Sequence, residues 1–128
     1  MIQLPEIPKK ATLTVDLHSD MFDMQLIGEF KVHRPTLEET QAISANVSAA
    51  NNGQQFVLAQ YAGYVNAIYE LAMVVEKAPE WWDDIVKAQD SAIIMRVYSE
   101  YAEWKRAPFR YEKNRQGEVE QKNTEGNS

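Results

Sequence analysis

The chain has 128 residues and a mass of 14.7 kDa, 45% of it hydrophobic, which is one domain's length with enough apolar material for a core of its own. It contains no cysteine and only two histidines. That removes disulfides, thiolate metal sites, iron–sulfur clusters and thiol catalysis. A net charge of −6 and a pI near 4.9 oppose broad electrostatic capture of nucleic acid or anionic lipid.

Pro5 and Pro8 make residues 1–10 an extended arm. Strict alternation follows. Leu13, Val15 and Leu17 share one face, with Thr12, Thr14, Asp16 and His18 on the other. A second run sets Met24, Leu26, Gly28, Phe30 and Val32 on one face, with Ile27 as the exception on the polar one. The polar Ser19-Asp20 region between them turns the chain, so the pattern predicts a β-hairpin covered on one side by helices.

Pro35 stops the second strand, and Thr36-Leu37-Glu38-Glu39 spells a capping box for a first helix that closes at Asn51-Asn52-Gly53. Thr40, Ile43, Val47 and Ala50 form its thin apolar stripe. In the second helix, Leu58, Tyr61, Val65, Ile68, Ala72 and Val75 alternate spacings of three and four, and Val57, Tyr64 and Leu71 widen the seam. Between Gln54 and Val75 the only charge is Glu70, so this helix lacks the charged back of a surface helix. Ala59, Gly63 and Ala67 form a line of small residues that admits another backbone. Gln60, Asn66 and Glu70 interrupt it too often for a membrane span, which places it centrally or in a subunit contact.

Ala78-Pro79 leads into a third helix, with Glu80, Asp83 and Asp84 at its positive end. Two stripes offset by one residue, one running from Trp81 to Ala102 and one from Trp82 to Trp104, cover more of the cylinder than a single packing contact needs. Pro108 ends the helix. Residues 111–128 hold only Tyr111 and Val119 as apolar residues and are expected to be disordered. The fold class is therefore α+β, mostly α: an arm at 1–10, one ββααα domain at 11–110, and a disordered tail at 111–128.

Chemistry finds little purchase. Asp16, His18, Asp20 and Asp23 group as conceivable metal ligands, but such residues also make an ordinary solvated hairpin face. Glu80, Asp83 and Asp84 are accounted for by the helix dipole rather than by acid–base work. No Gly-rich phosphate loop or Gly-x-Ser-x-Gly elbow exists, so neither an enzyme nor a cofactor or metal site is expected. Lys105, Arg106, Arg110, Lys113 and Arg115 follow Tyr98, Tyr101 and Trp104, a pattern that binds single strands in some proteins but also describes a dipole-matched helix end. The surplus aromatic face favours contact with other chains. Tyr61, Tyr64, Trp81, Trp82, Tyr98, Tyr101 and Trp104 are the residues expected to bind a partner or a second copy.

From Met21 to Arg110 the order of parts resembles the tail assembly chaperones of long, noncontractile-tailed bacteriophages. The resemblance lies in a strand at Gln25–Val32 running into Pro35-Thr36 and a capped helix, then a helical body ending in Tyr98-Ser99-Glu100-Tyr101-Ala102-Glu103-Trp104 and a polar tail. It implies an oligomeric protein of the host cytoplasm, absent from the finished virion. Its partners would be the tape measure protein, which it keeps soluble, and the tail tube protein, which it helps recruit. Many such proteins are also made in a longer frameshifted form, which would extend from the tail. The lack of a phosphate-binding loop gives no expectation of ATP use, and neither nucleic acid nor membrane is expected as a partner. The alternatives are a head–tail joining protein of the virion and a small regulatory adaptor.

Overall fold

The computed structural model describes residues 6–51 and 59–126, with side chains at 6–51 and 62–108. Strands β1 (Lys10–Ser19) and β2 (Met24–His33) form the expected antiparallel hairpin, in register from Lys10 opposite His33 to Ser19 opposite Met24. The turn between them closes through Asp23 at a φ of 49°, a left-handed conformation that Asp tolerates better than most residues. The alternation sorts the faces as anticipated except at the tip, where Met24 is 51% exposed and Ser19, read as turn, is buried as the last residue of β1. Val15, Leu26, Phe30 and Val32 are buried, whereas Ile27 is 63% exposed. Of the predicted arm, residues 1–5 lie outside the described residues and Lys10 already belongs to β1. The Pro8 carbonyl accepts from Arg34 Nε at 2.7 Å.

Helix α1 (Leu37–Ala50) starts from the predicted capping box. Thr36 Oγ1 accepts from the Glu39 N–H, and Glu39 Oε1 accepts from the Thr36 N–H. Asn51 caps its C-terminus, and the rest of the predicted stop lies outside the described residues. Helix α2 (Ala59–Val74) ends one residue before the apolar seam does. A third strand that the periodicity did not reveal, β3 (Val75–Lys77), pairs antiparallel with β2 to give the order β1-β2-β3. Val74 and Val75 are β-branched, and Pro79 disfavours helix at the residue before it. The free edge of β2 then supplies the hydrogen bonds that a further helical turn would have supplied.

The predicted third helix is in fact two, α3 (Trp82–Ala88) and α4 (Ser91–Gly126). Gln89 takes a φ of 57°, its N–H donates to the Val86 carbonyl, and the Asp90 N–H donates to the Ile85 carbonyl, a Schellman closure without glycine. Asp90 then opens α4, with Oδ1 3.4 Å from the Ile93 nitrogen that donates to it. The two stripes are consequently carried on separate axes, and Ala88 and Ala92 are left exposed. The backbone of α4 also runs through Pro108, where the reading ends it. Proline withdraws one donor and crowds the carbonyl four residues back, and the Glu, Lys, Gln and Arg that follow favour helix. The side chains of the predicted tail at 111–128 lie outside the described residues.

The inner face of the sheet packs against α2, α3 and α4. Phe30 at its centre lies edge-on to Trp82 at 5.0 Å and Trp81 at 5.7 Å. Helix α1 packs on α2 and contributes Ile43. The molecule is α+β and mostly α. Among the described residues no helix is long and apolar enough to cross a membrane.

Candidate functional site

Of the seven aromatic residues singled out by the sequence, five fall into two internal clusters, Trp81 with Trp82 and Tyr98 with Tyr101 and Trp104. Trp82 is 8% exposed and Trp81 half-buried, its indole N–H donating to the Ile27 carbonyl at 3.0 Å. Tyr101 is wholly buried between half-buried Tyr98 and Trp104, with ring centroids 5.9 and 6.3 Å away. Tyr64 is half-buried, and its hydroxyl lacks a hydrogen-bond partner. The side chain of Tyr61 lies outside the described residues.

The second cluster surrounds Glu70, the lone charge of α2. Its carboxylate is buried and meets Lys105 Nζ at 3.0 Å, while the same ammonium lies 5.8 Å from the centre of the Tyr101 ring. Burial raises the Tyr98 and Tyr101 phenols above their ordinary value, and the Glu70 charge beside them acts in the same direction. Both therefore stay neutral and act as packing groups. Arg34 closes this end of the molecule. Its guanidinium stacks 4.7 Å from the centre of the Trp104 ring, and Nη1 donates to the Lys105 carbonyl at 2.7 Å. The basic–aromatic pattern at Lys105 is thus largely an internal clamp, although Arg110, Lys113 and Arg115 lie outside the described side chains.

The hairpin carboxylates do not converge. His18 Nε2 stands 3.7 Å from Asp20 and 3.5 Å from Asp23, all three well exposed, while Asp16 hydrogen-bonds Gln25. Among the described residues no group of three or more His, Asp or Glu side chains is arranged to hold a metal ion. His33, unremarked in the sequence, is more engaged. Its Nε2 is 2.8 Å from Glu39 and its Nδ1 3.3 Å from Glu76, tying α1 and β3 to the end of β2. Bonds from the Thr36 N–H and from His33 hold the Glu39 carboxyl below its usual range.

Among the described residues several surfaces are open to partners. An open groove of about 600 Å³ runs between α2, β3 and α3, with an apolar floor that includes Ile68, Ala72, Val75 and Val86. Its rim is charged in both senses, by Glu76, Glu80 and Asp83 and by Lys77 and Lys87. A smaller hollow of about 230 Å³ lies between α1, α2 and α4, above Glu70 and Lys105. On the small-residue line Gly63 is exposed with open space beside it, whereas Ala67 is buried in the core. The hairpin tip presents Met21, Phe22 and Met24, each more than 40% exposed. Neither a family model, nor a curated protein, nor a solved structure matches this chain.

Proposed function

We propose that this chain is a tail assembly chaperone of the long noncontractile-tail type. It binds the tape measure protein, keeps that protein's apolar helices soluble, and helps bring tail tube protein to it in the host cytoplasm. It is not carried into the virion. The role is non-enzymatic and uses no cofactor.

The observation that carries this reading is the groove between α2, β3 and α3. The α2 part of its floor, Ile68 and Ala72, belongs to a helix with no charge except Glu70, and Glu70 is turned inward to Lys105. The half-exposed α2 residues around Ile68 are therefore left unshielded by charge, as suits the apolar face of a client helix. The mixed charges of the rim keep the free protein soluble and suit a client with its own polar flank.

Co-expression with the tape measure protein tests the reading. The client is expected in the soluble fraction with the wild-type chain. It is expected in the pellet without it, or with exposed Ala72 replaced by Glu on the groove floor. A client equally soluble in the absence of the chain ends the proposal. Mass spectrometry of finished particles separates the alternative, because a head–tail joining protein would be found there.

A further inference from the structure

Strand β1 is ten residues long and stands at the edge of the sheet. The Arg34 N–H donates to the Lys9 carbonyl, and the register steps evenly from there to Ser19. Antiparallel pairing alternates between residues bonded to the partner and residues bonded outward. Lys10, Thr12, Thr14, Asp16 and His18 therefore point their N–H and C=O groups away from β2. Among the described residues no backbone hydrogen bond reaches them.

Natural edges are blunted by proline, bulges, central lysines or a covering segment. β1 has neither proline nor bulge, and its single lysine is its first residue. Its inner face is also incompletely covered. On β2, Leu26, Phe30 and Val32 are at most 2% exposed, yet Ala11, Leu13 and Leu17 on β1 are only half-buried.

We infer that β1 pairs antiparallel with β1 of a second copy, about a two-fold axis at Thr14, joining two three-stranded sheets into one of six. The sequence of the strand is complementary to itself in this register. On the solvent face Thr14 meets Thr14, Thr12 meets Asp16, and Lys10 meets His18 with Asp16 on the diagonal. On the inner face Leu13 meets Val15 and Ala11 meets Leu17. No two carboxylates oppose one another, and the half-buried apolar side chains gain the cover they lack. The contact is isologous, so it closes at a dimer and leaves the groove between α2 and α3 open on both copies. This pairing is independent of the client proposed above, because it involves only this chain.

The absence of native cysteine makes the register directly testable. Across the two-fold, the Cα atoms of Thr14 would be about 5.5 Å apart, within disulfide range. Those of Thr12 would be offset by about 14 Å along the strands. Under mild oxidation Thr14→Cys is expected to cross-link to itself at least tenfold faster than Thr12→Cys, and the double variant Thr12→Cys/Asp16→Cys should cross-link as Thr14→Cys does. Thr14→Pro removes an outward N–H that β2 does not use, so it should keep the native circular dichroism and sediment as a monomer while the wild type sediments as a dimer. A monomeric wild type, or equal cross-linking at Thr12 and Thr14, overturns the inference. So does a Thr14→Pro chain that still dimerises, since the contact would then lie elsewhere. If Thr14→Pro fails to fold, the cysteine series decides alone.

Discussion

Gly28 lies in β2 where the loop after β3 crosses the sheet. A Cβ added there would stand 2.7 Å from Pro79 Cβ and 3.3 Å from Trp81 Nε1. Trp81 has little room to move, because it is anchored to the Ile27 carbonyl and packs against the core. Gly28→Ala should therefore lower the unfolding free energy by about 1–3 kcal/mol, the usual cost of overpacking. Adding Pro79→Gly, which removes the Cβ standing in the way, should recover part of it, as read from urea midpoints of the two variants. In the sequence this glycine showed only that its position shared the inner face of a strand. The same holds for the aromatic residues. Composition and spacing picked out Trp82 and Tyr101, but not the direction each faces, because a period of 3.6 locates a stripe without locating its neighbour.

At the scale of elements, local signals were read accurately wherever one side chain satisfies one end of an element. Thr36 and Glu39 form the box that their spacing announced. The alternation around Val15 and Phe30 sorted two strands onto the right faces. The break between α3 and α4 was missed, since Gln89 takes the left-handed conformation without being glycine or asparagine. Its cause is tertiary. Asp90, buried and 71 residues away in sequence from its partner, accepts the Ser19 hydroxyl at 2.6 Å while capping the Ile93 N–H. Asp90→Ala should cost about 2–4 kcal/mol, combining a lost cap with a buried hydroxyl left without its acceptor. Asp90→Asn keeps an acceptor oxygen and should lose less than half as much. Thermal unfolding of the pair checks the order, and equal losses would rule out the shared hydrogen bond as the cause.

For the whole molecule, the buried tyrosines set a limit on alkaline stability. Tyr64, Tyr98 and Tyr101 all have phenols raised above 10.0, burial being the first cause in each. An acid whose folded value is raised stays protonated in the native state where the unfolded chain has already ionised. Its stability contribution is full below the unfolded value and is lost as the pH climbs past it. The urea midpoint should hold steady up to about pH 9 and fall above pH 10.0. Tyr101→Phe should flatten part of that fall. At neutral pH the same variant should be neutral or slightly stabilising, because the Tyr101 hydroxyl is buried without a hydrogen-bond partner. An unchanged alkaline slope in Tyr101→Phe would assign the fall to other groups.

By itself the sequence determined the class of fold, the hairpin with its inner face, the first helix with its cap, and a second helix whose only charge is Glu70. Each of these is written in residues within a few positions of one another, where backbone geometry and hydrogen bonding are local. Only the tertiary structure decided that Val75–Lys77 leaves the helix to extend the sheet. The same is true of the Asp90 break between α3 and α4, and of the pairing of Glu70 with Lys105 across 35 positions. It also turned most of the described aromatic residues into core and left the partner surfaces to a groove and a strand edge. Those outcomes depend on which distant group arrives to satisfy a polar atom or fill a face, and no periodicity along the chain encodes that arrival.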